Sequence, residues 1–452
     1  MTAIPIFCVL SLLLILGKGV RVMFPLLQRL YLPSSVIGGI LGLTVISCCG
    51  EIIPQEYITG MRKVPGFLIN VIFATLFMGS VTPKLGKVFR LAFPQLCMGQ
   101  LLGWGQYVIG LGLAGFLLAP CFGVPPAFGN LLEIGFEGGH GTVGGMTESF
   151  MAFGWEDGIA LGYTLATIGM VLGIVLGMAL VNWAQGKQAI VNVRSFKTRD
   201  RLERIGVYRL RDRPHAGKQT VFCDSIDSLA WHIALVGFAV CIGFGMLKGF
   251  QAAEVYFFPN AKNRIFNGFP LFPLCMIGGV LLQQTAQRFR VHPLIDKTQM
   301  QRISGAALDF LVVSAVATIQ LTVVVRNGLP LLIMAVAGAA WSVLGVVFLA
   351  PRIFKEAWFE RAIAEFGQSL GVTATGLLLL RTVDPEGKTP AAASFGYKQL
   401  IHEPFMGGGI WTALALTLVF NLGWFPIWCF CCVMLIVWGI LTFFMARRHN
   451  ET

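Results

Sequence analysis

Apolar stretches close to 20 residues long recur from one end of this chain to the other, and few folds can hide so many of them. A bilayer core of about 30 Å asks for helices of about that length. Composition agrees: 56% of the 452 residues are apolar and only 12% are charged, about half the charged share of a soluble domain. The expected fold class is an all-α polytopic membrane protein. Spans are predicted near Ile4–Gly17, Pro33–Gly50, Val64–Val81, Leu91–Leu118, Gly158–Trp183, Leu229–Leu247, Pro270–Gln284, Ala306–Val325, Leu329–Ala350, His402–Phe420 and Trp424–Met445. The first run has no leading positive charge and no clear cleavage site, so it reads as a span and not as a secretory signal.

A net charge of +12 raises the question of a nucleic-acid partner. The basic residues sit in clusters between apolar spans, where the positive-inside rule puts them, so no nucleic acid is needed to explain them. The largest cluster is the polar segment 184–228, with Arg199, Arg201, Arg204, Arg209, Arg211 and Arg213. It reads as a basic cytoplasmic loop, with the N-terminus outside and the C-terminus cytoplasmic. Eleven cysteines are scattered, several of them inside spans, with no C-x-x-C pair and no zinc-like spacing. They read as small buried apolar residues, and neither a disulfide framework nor a metal site is expected.

One stretch breaks the membrane pattern. Glu133 to Gly145 carries Gly135, Gly138, Gly139, Gly141, Gly144 and Gly145 among polar side chains, inside a region, 125–154, whose apolar pieces are each too short to cross. Irregular backbone is tolerated at membrane depth only against protein or a watery cavity, so this is a candidate binding site. The spacing returns 232 residues later: Gly135, Gly139 and Gly144 are matched by Gly367, Gly371 and Gly376, and Glu133 by Glu365. The second break is placed at about 362–382. Pro33–Gly39 and Pro273–Gly279 share their proline and glycine pair, and Asn70 falls opposite Asp309, at nearly the same offset.

Two related halves follow, 1–183 and 229–422, with an eleventh span and basic tail at 423–452. Each half holds five spans, an odd number, so the second enters the membrane inverted. Inverted five-helix repeats with re-entrant or broken helices meeting at midplane are the construction of secondary transporters.

The run Glu137-Gly138-Gly139-His140-Gly141-Thr142, with Gly371-Val372-Thr373-Ala374-Thr375, resembles the sodium/glutamate symporter family over about Ile4–Phe420. The resemblance implies a homodimeric carrier in a bacterial-type inner (plasma) membrane that imports glutamate, or a related small organic anion, with Na⁺ as the coupling ion. It also implies two re-entrant elements forming the site and an elevator-like movement of a transport domain. Two positions depart from the family pattern: Glu137 stands where a small residue is expected, and Ser369 where glycine is expected.

Candidate substrate- or ion-binding residues are Glu137, Gly138, Gly139, His140, Gly141, Thr142, Gln368, Ser369, Gly371, Thr373 and Thr375. Asn70 and Asp309 are further ion-binding candidates, each also readable as a helix-packing polar group. Glu137 could bind a cation, carry a proton (H⁺ coupling in place of Na⁺), or select a different substrate. Glu133 and Glu365 read as anchors of their breaks, and His402-Glu403 as the entry to span ten. No nucleophile–base pair stands at a recognisable spacing, so an embedded enzyme is the weakest reading.

Overall fold

The computed structural model describes residues 3–29, 32–49, 52–79, 85–186, 202, 205–213, 215–257, 259, 266, 269–384 and 388–448. Arg199, Arg201 and Arg204 of the basic segment lie outside the described residues. Among the described residues every regular element is a helix, and eight helices are long and apolar enough to cross a membrane.

The helices fall into two packed groups. The first holds α1 (Ala3–Met23), α2 (Ser34–Cys49), α3 (Gln55–Thr75), and three helices from later in the chain, with which they interleave. The second begins with α4 (Leu85–Leu113), which runs on through a π-helical turn, Ala114–Leu118, to Phe122, and with α5 (Asp157–Gly186). After the basic segment, α6 (Ser228–Phe257), α7 (Phe272–Arg288) and α8 (Lys297–Ala317) return to the first group. There α2 and α3 pack on α8, α7 packs on α3, and α6 on α7. Glycines make the approach close: a Cβ at Gly38 would lie 3.4 Å from Val313 Cγ2, and one at Gly39 2.5 Å from Val316 Cβ. Without a hydrophobic drive between helices in lipid, such small-residue contacts supply the packing. At its N-terminus α8 is capped by Asp296, whose carboxylate accepts from Gln299 N at 2.9 Å.

The second group is completed by α9 (Gly328–Leu344), which continues through a π-helical turn, Gly345–Leu349, to Ile353. Both π-turns are followed by Ala-Pro, at Ala119-Pro120 and Ala350-Pro351. Their separation nearly equals the offset of the glycine motifs. Then come α10 (Ala391–His402), α11 (Ile410–Leu422) and α12 (Trp424–Arg448). Helix α12, the eleventh predicted span, lies along α4, with Trp428 Nε1 donating to Val108 O at 3.0 Å.

Span ten needs correction. It was expected to be one helix from His402 to Phe420, but α10 ends at His402 and α11 starts at Ile410. Gly407 (φ +68°) and Gly408 (φ +106°) lie between them in left-handed backbone, which glycine enters without steric cost. The chain therefore has a third interruption.

Helices are interrupted at both glycine-rich stretches. The first is built from Leu131–Phe136, Gly139–Gly145 and Thr147–Ala152, turning at Gly139 with φ +67°. Its two arms lie against the same part of α5: a Cβ at Gly135 would be 3.3 Å from Gly162 O, while one at Gly162 would be 2.9 Å from Val143 Cγ1. The second spans Trp358–Val383 and breaks at Gly371 and Val372, the latter at φ 61°, ψ 174°. Length alone would make this segment a crossing helix. Its arms instead fold onto each other, since a Cβ at Gly367 would sit 2.6 Å from Gly376 Cα. Two of the three glycines in the repeated spacing are thus explained as the crossing point of a hairpin.

A polar site where the interrupted helices meet

Helix α5 is 30 residues long, so Gly169 and Met170 stand near its middle. Both tips arrive there. Phe136 and Leu370 pack at Gly169, a Cβ at Gly371 would lie 3.1 Å from Met170 Cα, and one at Gly173 3.2 Å from Leu370 Cβ. The tips also touch each other, because a Cβ at Gly139 would be 2.5 Å from Val372 Cγ1. A stripe of Gly169, Gly173 and Gly177 on α5 is what admits the second hairpin, with Leu379 filling the notch at Gly177.

Beside the tips lies a buried polar network. Trp104 donates its indole N–H to Gln100 Oε1 (2.8 Å), which turns the Gln100 amide N–H toward His402 Nδ1 (3.2 Å). His402 Nδ1 is therefore an acceptor, and its Nε2–H donates to Glu137 Oε1 at 2.5 Å. This is the neutral tautomer, fixed by a donor-only indole two residues away in the chain of bonds. Gln368 Nε2 reaches the same Glu137 oxygen at 3.4 Å, while Glu137 Oε2 is buried without a partner.

Lys398 supplies the cation. Its Nζ donates to Glu365 Oε2 and to Gln368 Oε1, both at 2.9 Å, with neither ion exposed. A buried ion pair needs its remaining lone pairs satisfied, and here Gln95 Nε2 donates to Glu365 Oε1 at 2.9 Å. Space for the lysine comes from α4, where a Cβ at Gly99 would lie 2.6 Å from Nζ. Glu403, just past α10, accepts from Thr373 Oγ1 at 2.5 Å and from Gln399 Nε2 at 3.0 Å. Glu133 accepts from Tyr107 Oη (2.7 Å), Gly407 N (2.7 Å) and Thr412 Oγ1 (2.8 Å). The reading of Glu133 and Glu365 as anchors matches these bonds: one ties the first break to the third, the other ties the second break to α10.

The remaining candidates divide. Glu137, Gly139, Gln368, Gly371 and Thr373 surround the meeting point. Gly138 is enclosed by its own turn, with Thr142 Oγ1 donating to its carbonyl at 2.8 Å. His140 donates from Nε2 to Thr167 Oγ1 at 2.9 Å, since that hydroxyl is committed to Tyr163 O; the imidazole is held against α5. Gly141 faces the first helix group, 2.8 Å from Ile69 Cδ1 at its would-be Cβ. Ser369 turns away, its Oγ at 3.0 Å from both Ser342 Oγ and Phe366 O. Thr375 packs at Gly371.

Asn70 donates to Gly66 O at 2.9 Å, and its Oδ1 is 3.7 Å from Cys275 Sγ, a helix-packing role. Asp309 lies beside Ser35 on the exposed face of α8. Sequence reading missed Lys398, Gln399 and the functional placement of His402-Glu403, which it took for a helix entry. A signal was present: Pro404 and Gly407-Gly408-Gly409 interrupt an apolar run, as glycines do at the other two breaks.

A multi-pass bundle of apolar helices, with a polar site built where interrupted helices meet halfway along a membrane-length helix, has the construction of a secondary transporter. Comparison with known families gives the particular one. The sequence profile of the sodium/glutamate symporter family matches residues 1–384, and the chain belongs to this family. No curated protein matches the chain at a significant level. Membership implies Na⁺ as the coupling ion and a glutamate-type substrate. The matched region stops short of α10, so Lys398, His402 and Glu403 are contributed by residues beyond it.

Proposed function

We propose that this protein is a homodimeric symporter that carries glutamate, or a closely related small organic anion, inward with Na⁺. In this reading the two halves are inverted repeats, 1–183 and 229–422. The first hairpin is re-entrant from outside and the second from the cytoplasm, and α10–α11 is a discontinuous span. The N-terminus is outside and the basic loop inside, as the clustering of Lys and Arg favours, in a bacterial-type inner membrane.

The observation that carries the reading is the contact between Gly139 and Val372, which brings two glycine tips together beside Glu137, Gln368 and Lys398 halfway along a membrane-length helix. Two sets of side chains then face a ligand from opposite sides, as alternating access requires. The core bearing both tips (α4, α5, α9–α12 and the hairpins) moves as an elevator against the first helix group. The junction between them is lined by small residues: Gly141, Gly144 and Gly145 meet Ile69, Pro65 and Phe272. An anion and its cations together reduce the net charge that must pass the apolar scaffold, and this is the physical basis of coupling.

The test is uptake of labelled glutamate into proteoliposomes containing the full chain. An inward Na⁺ gradient should drive accumulation, and replacing Na⁺ by choline should reduce it to the level of empty vesicles. Equal uptake with and without the Na⁺ gradient would overturn the symport reading.

A further inference from the structure

One end of the first helix group carries a surface that the polar site leaves unused. The described part of the basic segment, residues 205–213 and 215–227, is bonded to three helix ends. Lys18, near the end of α1, donates from Nζ to Ile205 O at 2.7 Å and to Gly206 O at 3.1 Å. Gln299, in the first turn of α8, donates from Nε2 to Lys218 O at 2.5 Å and to Ser228 Oγ at 2.9 Å. That hydroxyl also accepts from Thr220 N at 3.2 Å. Ser228 is the first residue of α6, and α6 is tied to α8 where His232 Nε2 accepts from Asp296 N at 2.8 Å. Both α1 and α6 are membrane-length helices, with only 22% and 17% of their apolar windows buried. The segment therefore lies where α1 leaves the bilayer and α6 enters it.

Its chemistry fits that level. From Ile205 to Lys218 the chain carries Arg209, Arg211, Arg213 and Lys218 against one acid, Asp212, and all five are exposed. Two acids at the helix ends are engaged in capping: Asp227 accepts from Leu229 N and Ala230 N, and Asp296 from Gln299 N. Large apolar side chains alternate with the arginines and are turned outward, Tyr208 at 64% and Leu210 at 79% exposed, and Phe222 stands out at 86%. Trp231, one turn into α6, donates its indole N–H to Leu294 O at 3.2 Å, in the position that tryptophan favours at a membrane–water boundary. A strap that presents arginines and apolar groups in turn suits the headgroup region, where the apolar groups reach the acyl boundary and the cations meet lipid phosphates. Nucleic acid would engage the arginines but leave Leu210 and Phe222 in water.

We propose that residues 205–222 form a docking surface for anionic phospholipids, with Arg209, Arg211 and Arg213 on the headgroup phosphates and Tyr208, Leu210 and Phe222 set into the boundary beneath them. The surface gives the first helix group a fixed level in the bilayer. It requires only that the chain is embedded in a membrane, so it stands apart from the choice of substrate and coupling ion.

The experiment places an environment-sensitive fluorophore on Leu210→Cys, in the full chain without its eleven native cysteines. The protein is set in nanodiscs of phosphatidylcholine alone or with phosphatidylglycerol, each containing a nitroxide-bearing lipid as quencher. Quenching should be strong in the phosphatidylglycerol discs, and Arg211→Gln/Arg213→Gln should lose the part that depends on the anionic lipid. No quenching in either disc would overturn the surface, and so would equal quenching in both discs that the double variant leaves unchanged. A second measurement keeps the native cysteines: added phosphatidylglycerol should raise the unfolding midpoint of the detergent-solubilised protein more than phosphatidylcholine does, and the double variant should lose that difference. No difference in the unmodified protein would overturn the proposal even if the cysteine-free chain does not fold. A short RNA retained by the solubilised protein, and not displaced by phosphatidylglycerol, would assign the surface to nucleic acid instead.

Discussion

Val372 is the most telling single residue. Its φ of 61° and ψ of 174° lie in a region of backbone space that only glycine enters freely, at a cost of about 1–3 kcal/mol for other residues. Such strain persists where the surroundings over-determine it, and here the surroundings are Gly139 and the crossing of the hairpin arms. Gly139 is itself left-handed, at φ +67°. Gly139→Ala should therefore lose about 1–2 kcal/mol of stability through its backbone alone, and more through the approach of its Cβ to Val372. Most glutamate uptake should disappear with it. The double variant Gly139→Ala/Val372→Gly removes both the opposing methyl and the second strained residue, so it should recover part of both losses. Unfolding midpoints and initial uptake rates, read side by side, check this. The glycines themselves were visible in sequence. That they press against each other was not, because 232 residues separate the two motifs.

At the scale of elements, what fixes α10 against the second hairpin is the Lys398–Glu365 pair. Both ions are buried, and each is held by a glutamine as well, Gln368 for the lysine and Gln95 for the carboxylate. Lys398→Met leaves a carboxylate without its partner, which costs about 3–5 kcal/mol in buried pairs. Adding Glu365→Gln removes the orphaned charge and should restore most of that loss. A double-mutant cycle on thermal stability separates the two outcomes, and additive losses would show that the pair is not a unit. Helical period and apolar length were legible for almost every element, since both follow from local spacing. The division of span ten into α10 and α11 is not legible from apolar length, although Gly407-Gly408-Gly409 carries the same signal as the other breaks. Its significance depends on Glu133, which receives the Gly407 N–H from another part of the fold.

At the scale of the molecule, the two helix groups meet where glycines of the first hairpin face α3 and α7. A Cβ at Gly66 would lie 3.4 Å from Gly144 O, and one at Gly145 would overlap the ring of Phe272. If the core moves as proposed, a covalent tie across this junction stops transport. Gly66→Cys/Gly144→Cys, placed in a background without the eleven native cysteines, should cross-link on oxidation and lose uptake, and reduction should restore it. Full activity in the cross-linked protein would rule out movement at this junction. Only part of this organisation could be foreseen. The repeats predicted that the breaks would converge. Which helices make up each group depends on packing between α2, α3, α7 and α8, which no single segment encodes.

Sequence alone determined that the chain is a bundle of membrane helices interrupted by two related glycine motifs, because apolar length and backbone freedom are local properties. It also pointed to the family through the tip around His140. Tertiary structure decided which polar groups share the site. Lys398, His402 and Glu403 come from a segment that reads as an ordinary span, and Ser369 is turned toward Ser342 instead of the tips. Charge balance is a sum over neighbours in space, so the pairing of Lys398 with Glu365 emerges only once the interrupted helices are brought together.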